Sequence, residues 1–127
     1  MEGVHVLLVE DDDMLRNLVY DMITDGGFTV TATDSADAAL KLLDGEKAQF
    51  RALVTDVHLG SPLAGWDVAR RARENNKKTA IIYMTGAGAH EWASKGVPNS
   101  LVLQKPFAEA QMLTALSQLI TEVAKAD

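Results

Sequence analysis

The stretch "LLVEDDD", residues 7–13, runs three apolar residues into four consecutive carboxylates, Glu10, Asp11, Asp12 and Asp13. A strand that ends in an acidic turn and caps a helix explains it. A metal or phosphoryl site explains it equally well. Upstream, Val4 to Val9 is a compact apolar run of strand length. Downstream the period changes. Met14, Leu15, Leu18, Val19, Met22 and Ile23 recur at the spacing of one helix face. Asp12 or Asp13 can cap that helix, and "DGG" at 25–27 stops it.

The same alternation repeats along the chain. "FTVTAT" (28–33) is β-branched and alternating, a second strand. Asp34 or Ser35 then caps a helix with Ala36, Ala39, Leu40 and Leu43 inward, and "DGEKAQ" (44–49) is a turn. "RALVTDV" (51–57) is a third strand carrying Asp56 at its end. A loop with two glycines and a proline (58–65) leads to a helix over 66–75. "TAIIYMT" (79–85) is a fourth strand ending in Thr85. A glycine-bearing loop and a short, weak helix occupy 86–96, and "SLVLQ" (100–104) is a fifth strand running into Lys105-Pro106. Met112, Leu113, Leu116, Leu119, Ile120 and Val123 mark a last amphipathic helix. Five β-α repeats with strands apolar on both faces predict a parallel sheet covered on both sides.

Composition narrows the function classes. The 127 residues suit one domain, and 47% hydrophobic with 24% charged residues is an ordinary globular balance. No cysteine is present, which excludes disulfides and thiolate metal sites. The net charge of −6 disfavours nucleic-acid binding, and the one basic cluster, "RRARENNKK" (70–78), reads as the solvated end of a helix. No apolar run approaches a membrane span and no signal peptide is visible, so the expected compartment is the cytoplasm.

In an open parallel sheet, ligands bind beyond the carboxyl ends of the strands. Strand 1 ends in Glu10 and Asp11, strand 3 in Asp56, strand 4 in Thr85, and strand 5 runs into Lys105. Each alone has an ordinary reading as a turn, cap or surface residue. Together they converge on one rim. Two carboxylates about 4 Å apart repel by roughly 4 kcal/mol at an effective dielectric of 20, so a cation is required. An all-oxygen site suits Mg²⁺, and Lys105 adds a fixed positive charge. One carboxylate is then free to act as a nucleophile toward a phosphoryl group.

With these residues placed, the sequence resembles the receiver domain of bacterial two-component response regulators, of the chemotaxis-regulator type. The resemblance rests on "LLVEDD", "LVTD", "IIYMTG" and "LQKPF" in that order, and it covers essentially the whole chain. It implies a (βα)5 flavodoxin-like α/β fold with strand order 2-1-3-4-5, and a single domain over 1–127 with no output domain. It implies Asp56 as phosphoacceptor, supplied by a histidine kinase or histidine phosphotransfer protein. Glu10 and Asp11 would organise Mg²⁺, Asp11 directly and Glu10 mostly through water, and the His58 main-chain carbonyl would complete the protein ligands. Thr85 would move toward the phosphoryl group, Lys105 would pair with it, and the Lys105-Pro106 bond would be cis. Such a domain is a signalling module and not a metabolic enzyme. It catalyses its own phosphorylation and slow dephosphorylation and switches a downstream protein.

Asp12 and Asp13 fall outside the motif and read as helix capping. The His58 side chain reads as solvent-facing, and His5 as structural. Two departures stand out. Val102 occupies a position where many receivers carry an aromatic ring, and the loop after Asp56 is about one residue longer than the commonest form. Position 87 is a small Ala. Two other readings are a haloacid-dehalogenase-like phosphohydrolase built on Asp11-x-Asp13 and a pseudo-receiver that binds partners without phosphorylation. The first departs from its motif at Leu15, and the intact Glu10, Asp11, Asp56, Thr85 and Lys105 set argues against the second.

Overall fold

The computed structural model describes residues 3–45 and 49–125, so the turn expected at 44–49 lies partly outside the described residues. Strands and helices alternate: β1 (His5–Val9), α1 (Asp13–Asp25), β2 (Thr29–Thr33), α2 (Ala36–Leu43), β3 (Ala52–Asp56), α3 (Gly65–Asn75), β4 (Ala80–Thr85), α4 (Trp92–Lys95), β5 (Ser100–Gln104) and α5 (Glu109–Lys125). A 3-10 turn at Ala89–Glu91 leads into α4. The strands are parallel in the order β2-β1-β3-β4-β5, as the resemblance implied.

Successive strand residues point to opposite faces, and the core divides accordingly. Val6, Leu8, Val54, Ile82 and Met84 meet Val19 and Ile23 of α1 and Leu116 and Ile120 of α5. Leu7, Val9, Leu53, Ile81 and Tyr83 meet α2 and α3 on the other face. β3 and β4 are buried along their whole length, which is why they read as continuous apolar runs. Helix starts follow the capping chemistry. Asp12 Oδ1 accepts the Leu15 amide at 2.9 Å and Ser35 Oγ accepts the Ala38 amide at 3.1 Å.

Strand register places the site. Val9 pairs with Thr55, Asp56 with Met84, and Thr85 with Gln104. Glu10, Asp56, Thr85 and Lys105 are therefore neighbours along one edge of the sheet, each within a residue of its partner's row.

Two expectations need correction. The six apolar residues of α1 do not share one buried face. Val19 and Ile23 are fully buried, whereas Met14 and Leu18 are 84% and 53% exposed. Residues 15, 19 and 23 form one row of the helix, and 14, 18 and 22 form the next, about 100° around the axis. Only the first row reaches the core. The basic cluster is also not wholly solvated. The Arg73 guanidinium donates to the carbonyls of Thr79 (2.7 Å), Pro98 (2.5 Å) and Asn99 (2.9 Å), clamping α3 to the turn before β5.

Candidate functional site

Glu10 follows β1, which lies between β2 and β3, and is 1% exposed. Its amide donates to the Thr33 carbonyl at 3.1 Å, and its carbonyl accepts Arg16 Nη1 at 3.0 Å. One carboxylate oxygen accepts the Asp12 amide at 3.1 Å, and the other faces Lys105 Nζ at 3.1 Å. Burial pushes the Glu10 carboxyl up to about 7. The Asp12 amide opposes the shift, the Asp56 charge adds to it, and Lys105 opposes it again.

Asp56 closes β3 and is 7% exposed. Its Oδ2 lies 3.2 Å from Lys105 Nζ, and its Oδ1 accepts a long 3.4 Å contact from the His58 amide. The main chain behind it is tightly packed. Thr55 Oγ1 donates to the Asp56 carbonyl at 2.9 Å, and a Cβ on Gly65 would lie 2.1 Å from that same oxygen. No side chain fits at 65 without moving the backbone of Asp56.

Lys105 reaches the carboxylates from the far side. Its amide donates to the Thr85 carbonyl at 2.8 Å, and the Lys105-Pro106 bond is cis. Burial works against its ammonium, but Glu10 and Asp56 outweigh that and hold its pKa above the ordinary lysine value. Thr85 is fully buried, and its Oγ1 accepts the amides of Ala87 at 3.2 Å and Gly88 at 2.5 Å.

Glu10, Asp11 and Asp56 each present a carboxylate oxygen, and these oxygens lie within 4.8 Å of one another. Asp11 is exposed and faces the loop after β3, where Gly60 adopts a φ of +66° and a Cβ would lie 3.3 Å from Asp11 Oδ2. Three converging oxygen donors with no sulfur or imidazole side chain among them match a hard divalent cation such as Mg²⁺. One ammonium faces two of the three carboxylates, so negative charge is left over for such an ion.

The remaining candidates separate from this cluster. Asp12 caps α1, and Asp13 sits in its first turn, paired with Arg16 at 2.6 Å. His58 is exposed, its Nε2 turned toward Gly88. His5 Nε2 lies 2.6 Å from Thr31 Oγ1, with the ring against Phe50, which fits a structural role. Sequence reasoning missed Arg16 and Gly65. Arg16 carried no signal beyond its helical position, and Gly65 read as one of the two glycines of the loop at 58–65 whereas it is the first residue of α3.

Comparison with known proteins agrees with the fold. The family model for the response regulator receiver domain matches residues 6–117. The response regulator receiver protein from Sinorhizobium medicae WSM419 is 43% identical over 96% of this chain and 98% of that one, with a TM-score of 0.92. The receiver domain of the sensor histidine kinase PA1611 from Pseudomonas aeruginosa PAO1, with a magnesium ion coordinated in its active-site cleft, is 26% identical. The match covers 94% of this chain and 98% of that one, with a TM-score of 0.80. The transcriptional regulatory protein FixJ from Bradyrhizobium diazoefficiens is 28% identical over 93% of this chain and 57% of its own length. This chain spans about half the length of the first curated relatives it matches.

Proposed function

The chain belongs to the response regulator receiver family, and from that premise we propose that Asp56 is its phosphoacceptor. The phosphoryl group comes from a histidine kinase or histidine phosphotransfer protein, the transfer depends on Mg²⁺, and the modified site switches the binding of a downstream protein. One observation carries the reading: Lys105 bridges the carboxylates of Glu10 and Asp56 at 3.1 and 3.2 Å on a rim that Asp11 completes.

Asp11, Asp56 and the His58 carbonyl would hold the metal, with Glu10 acting through water. When bound, Mg²⁺ supplies positive charge to the oxygens of the transferring group. The Asp56 carboxylate oxygen attacks phosphorus. The bond from phosphorus to the donor's imidazole nitrogen breaks, and that nitrogen keeps the electron pair. Lys105 neutralises charge on the same group, and the Thr85 hydroxyl donates a hydrogen bond to it. Glu10 holds the Lys105 ammonium in place before the donor arrives. The exposed Leu18 and a hollow of about 350 Å³ lined by Leu15, Met22, Pro106 and Phe107 adjoin Lys105. They leave an apolar surface beside Lys105 suited to a macromolecular donor.

The phosphohydrolase reading has no comparable support. Asp13, its second carboxylate, lies in the first turn of α1 against Arg16.

Acetyl phosphate with Mg²⁺ tests the proposal. The expected product is an acyl phosphate, stable in acid and labile in base, that maps to Asp56. It is missing without Mg²⁺ and missing in Asp56→Asn. Label on Asp11 would favour the hydrolase, and no adduct under any condition would favour the pseudo-receiver.

A further inference from the structure

Arg73 clamps Pro98 and Asn99 at the end of the segment between Thr85 and β5, and a circuit of bonds joins the rest of it to the sheet. At one end, the Thr85 hydroxyl accepts the Gly88 amide at 2.5 Å and packs on Gly88 itself, where a Cβ would lie 2.9 Å from Oγ1. Gly88 is the residue before the 3-10 turn, and its carbonyl accepts the Glu91 amide at 3.0 Å. The turn runs directly into α4, a single turn of four residues, and neither element has a buried residue. At the other end, the Trp92 indole Nε1 donates to Ser100 Oγ at 2.9 Å. Ser100 Oγ donates to the Val97 carbonyl at 2.5 Å, and the Val97 amide donates to the Tyr83 hydroxyl at 3.1 Å. Tyr83 lies on β4, two residues before Thr85.

The indole has a prepared seat. Gly96 leaves room for it, since a Cβ there would lie 2.4 Å from Trp92 Cδ1. The half-buried ring packs on the cluster containing Tyr83 and Val102, two residues paired across β4 and β5. No bulky ring stands at 102, and Trp92 and Val102 both pack on the same face of the sheet's core.

We propose that Trp92 is the switching aromatic of this domain, latched to Ser100 in the unmodified state and released when Thr85 engages a phosphoryl group on Asp56. This rests on the reading of Asp56 as phosphoacceptor. The Thr85 main chain is fixed by its pairing with Gln104 of β5 and by the Lys105 amide, so its hydroxyl reaches Asp56 by side-chain movement. The Gly88 amide then either follows the hydroxyl or loses its acceptor. Either displacement passes through the 3-10 turn to a helix whose fixed point is the indole hydrogen bond. Release opens the Gly96–Ser100 side of the domain and gives a downstream protein a surface that differs between the two states.

The two tryptophans allow a direct test. Indole ¹⁵N–H signals are assigned with Trp92→Phe, and Asp56 is loaded with beryllofluoride and Mg²⁺, occupancy being read separately by ¹⁹F resonance. Loading is expected to accelerate hydrogen exchange at the Trp92 indole at least tenfold while the Trp66 indole stays slow. Ser100→Ala should bind beryllofluoride as the wild type does but show fast Trp92 exchange before loading. In Thr85→Val, compared at full occupancy, the acceleration should fall below about twofold, and Thr85→Ser should restore it. A loaded wild-type protein with an unchanged Trp92 signal would overturn the latch and leave the phosphoacceptor reading intact. So would an equal response in Thr85→Val. Failure of beryllofluoride to occupy the site would overturn both.

Discussion

The two halves of the site rim are built differently. On the β1–β3 side, Glu10 and Asp56 are almost fully buried, and the main chain of Asp56 is wedged against Gly65. On the β4–β5 side, Thr85 is buried, but after the loop that follows it come a 3-10 turn and one turn of helix with no buried residue. Chemistry needs carboxylates held at fixed positions before substrate arrives. A readout needs an element whose alternative arrangement lies close in free energy. The first half meets the former requirement and the second the latter, within one sheet edge.

A matched pair of glycine substitutions probes this contrast with the largest effect. Gly65→Ala places a methyl group 2.1 Å from the Asp56 carbonyl oxygen, with Thr55 Oγ1 at 3.1 Å beside it. Urea denaturation should show a loss of about 3 kcal/mol, the upper part of the range for overpacking, and adduct formation at Asp56 should fall with it. Gly88→Ala meets the Thr85 hydroxyl at 2.9 Å, beside a loop that can move. The loss there should be about 1 kcal/mol. Equal losses would break the distinction between a rigid and a yielding half.

Lys105→Met comes next. It leaves Glu10 and Asp56 facing each other without their shared cation. The metal-free protein should lose about 2 kcal/mol, the scale of a charge-assisted hydrogen bond, moderated because the lysine side chain is 23% exposed. Mg²⁺ should recover much of that loss, since an ion among the three carboxylates supplies the missing charge. If the variant is no less stable than the wild type without metal, the carboxylates do not repel as the buried geometry requires.

The Glu10 carboxyl sharpens the same half through pH. Its value in the folded protein is about 7, above its ordinary 4.5. The folded state therefore binds this proton more tightly than the unfolded state does. The resulting stabilisation is complete below about pH 4.5 and is lost as pH rises through about 7. Across that window the metal-free wild type should lose stability relative to Glu10→Gln, and saturating Mg²⁺ should flatten the difference. Parallel curves without metal would show that burial does not set this group's charge.

Most of this architecture was legible because the cues were local. β3 and β4 are covered on both faces, so their apolar runs are continuous and end visibly at Asp56 and Thr85. Parallel register then brings those ends together without further information. What was not legible depended on contacts between distant segments. Met14 and Leu18 are as apolar as Val19, and only the packing of α1 tells the rows apart. Arg73 looks like any helix-end cation until Thr79 supplies one carbonyl and the turn before β5 two more. Trp92 and Ser100 are eight residues apart, with no periodicity to join them.

The smallest effect returns to the four adjacent carboxylates of residues 10–13. Asp12 Oδ1 accepts the Leu15 amide at 2.9 Å, the first-turn bond of an N-cap. Asp12→Ala should therefore cost about 1 kcal/mol of stability and leave Mg²⁺-dependent adduct formation unchanged. Asp11 is exposed and, among the described residues, makes no side-chain hydrogen bond or ion pair in the folded chain. Its carboxylate nevertheless lies within 4.8 Å of those of Glu10 and Asp56. Asp11→Ala should leave stability within about 0.5 kcal/mol of the wild type while abolishing the Mg²⁺ requirement together with most of the adduct. Adjacent acids with opposite patterns of loss are expected because the chain turns between them: the first faces the carboxylates at the rim, and the second caps α1. An Asp12 variant that loses the adduct while keeping its stability would place the boundary one residue later and draw the helix cap into the metal site.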